Sequence, residues 1–408
     1  MQFDLTDPGL LLSAEVLADP RPLYGQLRRE APVWRIPGQD TFLVSDPALV
    51  REAVGRPDDL SSNLVTLVRH DGQGHLEPYG LLPYGDPIHV QATAAPQIHT
   101  RHRRLLQQHL SPAAVAALTP DIEAIVDEQL DALVGAGPVD VVGAFGDAVA
   151  TRVVCRLIGL PDELWPQLAD LVMRTGALLD GVTDAAGTDA ASVAALEMGI
   201  IVHGELDAAL ALTPEERPGL FGVFGADVAA GEITLDEVKS ILLILVSAGS
   251  ETTATLLATA LDLLSRDDAL QARLRAEPEG VAAFLEDVLR DDGPFQFHYR
   301  YAPQDTSLGG VAIPAGSRVL MMWAAANRPA PGAPDVPADG PQPPHYAFGK
   351  GMHFCIGAPI ARLEARIALE RLLARTAAIN PVAGDPSTRR PSIFLRRFQR
   401  LPLVLTPA

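Results

Sequence analysis

A mainly α fold with small β-sheets is what the 408-residue sequence predicts, on three observations. Helical patterns follow one another from about 98 to 290, and another fills about 358–376. Strand-like runs are short and confined to about 31–60, 300–322 and 390–406. The composition, 48% hydrophobic and 20% charged, is that of a globular protein with material for a large core.

The elements follow in chain order. Ala31–Ile36 and Thr41–Val44 alternate like strands around a turn at Gly38-Gln39-Asp40. Residues 60–96 show no sustained periodicity and carry Gly72, Gly74, Gly80 and Gly85, so they read as a long loop of the kind that covers binding sites. Gly and Pro punctuate the helical run at 135–138, 159–161 and 214–218. Thr234 and Glu237 form a capping-box pattern that opens a helix ending near Ser265, roughly 45–50 Å long at 1.5 Å per residue. Positions 306–322 read as short strands around Gly and Pro turns, and 329–344 holds seven prolines in sixteen positions, a loop. After the helix at 358–376, Ile393–Leu395 and Leu401–Leu405 read as strands.

Charge and cysteine content narrow the function classes. With 51 acidic and 32 basic residues the net charge is −19, which disfavours nucleic acid as a partner because phosphate binding needs a concentrated basic face. Two cysteines exclude a disulfide framework and a multi-cysteine zinc module. The start lacks a basic stretch followed by an apolar one, so no signal peptide is read. The apolar window 241–264 is long enough to span a bilayer, but Glu251 at its middle would cost ~2.5–3.5 kcal/mol there. A buried helix of a soluble, cytoplasmic protein without a membrane anchor is the expectation.

Chemistry concentrates at Cys355. Gly349, Gly351 and Gly357 surround it, allowing tight turns and close backbone approach, and a helix pattern starts at once. A sulfur ahead of a helix N-terminus meets unpaired N–H groups and the positive dipole end, both favouring thiolate. Cys355 is thus a candidate metal ligand or nucleophile, against the alternative of a buried small hydrophobe. Cys155 has no such frame and reads as packing.

The run Phe348-Gly-Lys-Gly-Met-His353-Phe-Cys355-Ile-Gly357-Ala-Pro-Ile-Ala-Arg-Leu-Glu364 closely resembles the haem-binding signature of bacterial cytochrome P450 monooxygenases. Further matches occur in order along nearly the whole chain. The resemblance implies a P450-like fold with haem b (iron protoporphyrin IX) between a long central helix and the cysteine loop. It implies one unit over 1–408, a helix-rich and a sheet-rich part sharing one cofactor. It makes Cys355 the axial iron ligand, whose thiolate pushes electron density onto iron, with Phe348 beside the sulfur, His353 near a propionate, and Gly349 and Gly357 framing the loop.

The second match, Ala248-Gly249-Ser250-Glu251-Thr252-Thr253, resembles the family's oxygen-activation segment. There an acid and an alcohol deliver protons to bound dioxygen, which assigns catalysis to Glu251 and Thr252. Ala248 and Gly249 would line the haem face, with Gly249 removing bulk. The Thr252 hydroxyl is expected to stay free of its own helix so that it can donate. The third match is 96–105: His99 and Arg103, at i and i+4, lie on one helical face and suit a carboxylate. In the family such a pair holds a haem propionate. The fourth is Arg300, whose family equivalent also binds a propionate.

The chain departs from the pattern on the proximal side. The family's Glu-x-x-Arg reads Asp287-Val288-Leu289-Arg290 here, with Glu286 four before Arg290 as a substitute i,i+4 partner. Positions 329–344 contain no Phe or Arg to complete the usual network, and Ala94 and Ala95 replace the acid before His99. The expectation is a haem held less rigidly on the Cys355 side.

The implied activity is that of a haem-thiolate monooxygenase hydroxylating or otherwise oxidising a mostly hydrophobic small molecule in secondary-metabolite biosynthesis. Oxidative cyclisation or coupling on a peptide or polyketide scaffold shares the first step. A haem sensor or peroxide-using protein would not need Glu251-Thr252. Electrons would come from a ferredoxin or flavodoxin-type donor, 408 residues leaving no room for a fused reductase, docking at a patch of Lys350, His102 and Arg104. By family position the substrate meets the 60–96 loop, Leu245 on the 242–253 face, Phe295, Gln296, Phe297, His298, Ile393 and Phe394. Core packing is the alternative for Phe295 and Phe297.

Overall fold

The central helix, Leu235–Ser265, organises the molecule. The computed structural model describes residues 2–81, 88–328 and 344–408. Thr234 caps this helix in the predicted box, its hydroxyl accepting from the Glu237 N–H while the Glu237 carboxylate accepts from the Thr234 N–H at 2.9 Å. Its second half is almost wholly buried, from Thr253 to Asp262, and packs with Ala148–Ile158, Thr119–Leu133, Gly280–Asp292 and Ala358–Arg375 into one core. Its first half, through Val238, Ile241, Leu242 and Val246, belongs to a second core with Trp165–Thr175, Ala185–Leu210 and Gly219–Ala229. Both this helix and Ala185–Leu210 have the length and apolar content to cross a membrane.

Small sheets complete the fold, and one of them shares a core with the central helix. Val33–Arg35 pairs antiparallel with Thr41–Val44 across the predicted turn, where Gly38 takes a positive φ of 75° that disfavours other residues. Thr41–Val44 continues in parallel register to Arg318–Met321, which pairs antiparallel with His298–Tyr301. That register carries the segment around Arg300 into the interior. A second sheet joins Thr376–Pro381, Pro402–Pro407 and Pro138–Asp140.

Three expectations change. Within 60–96, Thr66–His70 and Leu76–Gly80 form a hairpin; its burial is uneven, so the two-residue period is faint in sequence. Ile393–Leu395 is no strand beyond one Phe295–Leu395 bridge, because its buried side chains fill a core instead. Val142–Asp147 is a π-helical turn that no sequence pattern announces; such turns recur at functional sites, and this one places Asp147 against Arg397 at 2.7 Å. The proline-rich loop 329–344 lies, but for Pro344, outside the described residues, as does Gly85.

One core residue is out of keeping with its surroundings. Glu364 on Ala358–Arg375 is 2% exposed and its Oε1 has no partner, so burial raises its carboxyl well above the usual range. A raised folded-state value means the folded chain holds the proton more tightly than the unfolded one. Stability is therefore lost as pH rises from the unfolded value near 4.5 toward the folded one. Glu364→Gln is expected to gain on the parent by on the order of 1–3 kcal/mol between pH 5 and pH 8. Urea unfolding at the two pH values checks this; a constant difference contradicts it.

Candidate functional site: a cysteine loop facing a cationic cluster

The loop before Ala358–Arg375 is built around Cys355. The Cys355 N–H donates to the Phe348 carbonyl at 2.9 Å, closing the turn that Gly349 and Gly351 make possible with φ of 71° and 76°. At Gly351 a Cβ would sit 2.3 Å from Val54, so no other residue fits without movement. The Cys355 residue is solvent-accessible by surface area, yet its sulfur is surrounded by protein atoms. Burial raises the thiol, and the Gly357 and Ala358 N–H groups lower it without winning. The helix-end effect expected to favour thiolate is present but smaller than desolvation, and a bound cation must supply the rest. Cys155 is 1% exposed, its thiol pushed up by burial to about 12, and is packing.

Beneath the loop lies a brace that differs from the expected one. Glu286 does not pair with Arg290, which is bound by Asp287 at 2.6 Å. Instead its carboxylate takes two bonds from Arg362, at 2.6 and 2.9 Å, and stands 3.0 Å from His345 Nε2. Burial opposes ionisation there, but Arg362 and His345 outweigh it and hold the carboxyl at about 2. The Arg362 guanidinium in turn covers the Phe348 ring at 4.4 Å, a cation–π contact. The missing network member is thus supplied by His345 and Arg362, both outside the segment 329–344. Glu286→Ala is accordingly expected to speed haem loss to apomyoglobin at least about fivefold, a modest share of one charge-assisted pair. Asp287→Glu should stay within about twofold; the reverse ranking contradicts this account of the brace.

Four basic groups gather beside the loop. His99 sits on Pro96–Gln107, 3% exposed, its ring 4.5 Å edge-on from that of His353. Neither His99 ring nitrogen makes a hydrogen bond of normal geometry. His353 Nδ1 lies 3.2 Å from the Gln91 carbonyl. Arg103 donates to the Phe354 carbonyl at 2.7 Å, and Arg300 to its neighbour's carbonyl at 2.8 Å. Burial first, then positive neighbours, lowers His99 and takes His353 to about 4; burial alone takes Arg300 to about 10. Among the described residues none of the four has a carboxylate partner. Two guanidinium groups and two imidazoles gathered without an acidic partner are costly to bury, so the cluster suits an anion.

On the central helix, Leu245, Ala248 and Thr252, at i, i+3 and i+7, form one partly or fully accessible stripe. Two expectations are corrected there. Thr252 Oγ1 donates to its own helix, to the Ala248 carbonyl at 2.6 Å, so it presents lone pairs rather than a proton. Gly249 faces Val154, where a Cβ would approach to 2.7 Å; helix packing, not cavity shape, requires glycine. Glu251 turns away toward Gly176, whose missing side chain leaves room for the carboxylate. Burial raises Glu251 to about 7, against Arg397 and Arg390, which lower it. An acid of that strength gives and regains a proton near neutral pH.

The expected substrate wall is only partly present. Phe297 is 1% exposed and packs edge-on to Tyr299 and Phe394, and Phe394 is buried among four aromatic rings, so both are core. Gln296 is buried and accepts from the Tyr24 hydroxyl at 2.9 Å. Buried Ile393 joins the same core. Phe295, His298 and Leu245 remain partly accessible. The docking patch also contracts: His102 is fully buried against Glu237, and Arg104 pairs with Glu232 at 2.8 Å.

A long helix over a cysteine loop, flanked by small sheets, defines a P450-type fold, and comparison with known proteins agrees. The cytochrome P450 family model matches residues 223–395. Cytochrome P450 144 of Mycobacterium tuberculosis is 36% identical over 404 residues, covering 98% of this chain and 92% of that protein. The 6-deoxyerythronolide B hydroxylase of Saccharopolyspora erythraea is 31% identical, covering 94% and 95%. The crystal structure of ligand-free Mycobacterium smegmatis CYP164A2 superposes with a TM-score of 0.82 at 28% identity, covering 98% of each chain. The chain belongs to the cytochrome P450 family and is a monooxygenase of the oxidoreductase class.

Haem is the cofactor of that family, and the residues present fit it. Cys355 offers a soft sulfur donor to iron, and the four unpaired basic groups match two carboxylates.

Proposed function

We propose that this protein binds haem b through Cys355 and oxidises a mostly hydrophobic small molecule, by hydroxylation in the first instance, in bacterial secondary metabolism. The observation that carries the reading is the basic cluster of His99, Arg103, Arg300 and His353 without an acidic partner, beside a glycine-framed cysteine. Haem, when bound, supplies the oxygen binding and the oxidation. The chain supplies the rest. Cys355 would hold the iron through its thiolate, and the basic cluster would hold the two carboxylates. Glu251, protonated below about pH 7, is the proton source; resting against Gly176, it swings toward the Thr252 hydroxyl, whose lone pairs are free to accept, to deliver that proton. Leu245, Ala248 and Phe295 give the substrate an apolar wall.

Residues 1–408 act as one unit on this reading, in the cytoplasm, with electrons from a ferredoxin or flavodoxin-type donor. The hydroxylase of Saccharopolyspora erythraea, named for 6-deoxyerythronolide B, supports hydroxylation as the first reading. Titration of the ferric protein with a library of macrolactones, terpenoids and fatty acids tests the assignment. Spectral shifts with macrolactones or terpenoids are expected; response only to small polar compounds would contradict it.

A further inference from the structure

We infer that His298 is a specificity-determining hydrogen-bond donor, its proton fixed on Nε2 by Trp323 and offered to an acceptor oxygen of a bound molecule. The inference rests on the haem-thiolate reading for the identity of the cavity, but its first step is independent of it.

The Trp323 indole N–H, in a side chain 1% exposed, points at His298 Nδ1 across 2.5 Å. An indole nitrogen only donates, so Nδ1 must carry its lone pair and the neutral ring must carry its proton on Nε2. A doubly protonated ring would set N–H against N–H. The surroundings enforce neutrality as well. Phe295 and Phe394 stand 4.6 and 6.0 Å from the ring, and the titratable groups that act on it, the Arg300 guanidinium and, when protonated, His353, are both basic. Burial and these two groups take the ring down to about 3.

Nε2 lies on the side of the ring away from Trp323. It bonds no described residue, yet it is not among the sealed polar atoms, so it reaches open space. His298 and Arg300 are i and i+2 on the strand His298–Tyr301, hence on one face. The proton is therefore offered at the junction of the basic cluster and the aromatic wall. A bound molecule with an oxygen there satisfies it, whereas a hydrocarbon of the same shape leaves a desolvated donor unpaired. That oxygen has two sources, a haem carboxylate or a substrate carbonyl.

The experiment has two stages. Nitrogen-15 NMR of histidine-labelled protein, as the diamagnetic ferrous carbon monoxide complex, reads the tautomer. Nε2–H is expected in the parent and a mixture in Trp323→Phe; Nδ1–H or a charged ring at pH 7 in the parent overturns the inference. His298→Phe and His298→Gln then separate the sources, glutamine keeping a donor. Haem transfer to apomyoglobin accelerated roughly ten- to hundredfold in His298→Phe and restored in His298→Gln assigns the carboxylate. Preference for cyclododecanone over cyclododecane, lost in His298→Phe and kept in His298→Gln, assigns the substrate. Obtaining neither of these two results overturns the inference. A chain that purifies without haem and takes up none fails the parent reading instead, and the tautomer measured on that same protein still decides the Trp323 lock.

Discussion

Glu251→Gln is expected to lower product formation about 10²-fold at pH 7 while leaving haem content and substrate binding unchanged, a loss typical of a removed general acid. Its carboxyl is enclosed, touches the space left by Gly176, and is raised by burial to about 7 despite Arg397 and Arg390. Because Thr252 already commits its hydroxyl proton to the Ala248 carbonyl, the proton must originate at the neighbouring acid. The pH dependence has a definite sign. The acid is protonated below about 7, so product formed per electron pair falls as pH rises through that value, and Glu251→Gln flattens the profile. The raised value also destabilises the fold as pH rises from about 4.5 to about 7, and glutamine removes that slope. Product yield against reductant consumed, measured from pH 6 to pH 8.5, checks the catalytic role, and urea unfolding over the same range checks the slope. Unchanged coupling in Glu251→Gln would contradict the role.

Cys355→Ser is expected to abolish thiolate ligation and at least about 10³ of the activity, since a hydroxyl neither matches iron's preference for sulfur nor pushes electron density as a thiolate does. No second thiol compensates, because Cys155 is buried in the helical core with its thiol held at about 12. The fold should survive, as the loop is closed by the Cys355 backbone N–H and the Phe348 carbonyl rather than by the side chain. Retained circular dichroism with lost activity and lost thiolate spectrum is the expected pair of results. Full activity in Cys355→Ser would overturn the assignment.

Much of this architecture was legible in the residue pattern, for identifiable reasons. The central helix carries its own start signal in Thr234 and Glu237 and a continuous apolar run, so its bounds at Leu235 and Ser265 were readable. The cysteine loop was readable because three glycines and a helix start leave few alternatives. His99 and Arg103 share a helical face by spacing alone, whereas their meeting with Arg300 and His353 depends on an antiparallel strand pairing and a distant loop that no local pattern encodes. The Glu286–Arg362–His345 brace spans 76 and 59 residues, beyond any periodicity. The π-turn at Val142–Asp147 has a helical sequence and differs only in hydrogen bonding. Phe297 and Phe394 misled because apolar lining and apolar core share one composition; only packing separates them. Family position placed His298 near the substrate, but its pairing with Trp323, 25 residues on, had no sequence signal.

The central claim is that Cys355 binds haem iron as a thiolate. The reduced protein exposed to carbon monoxide reports the axial ligand directly through its Soret band. The account predicts the red-shifted band of a thiolate–iron–carbonyl complex in the parent and its loss in Cys355→Ser. A parent band at the position of histidine- or thiol-ligated haem would contradict it.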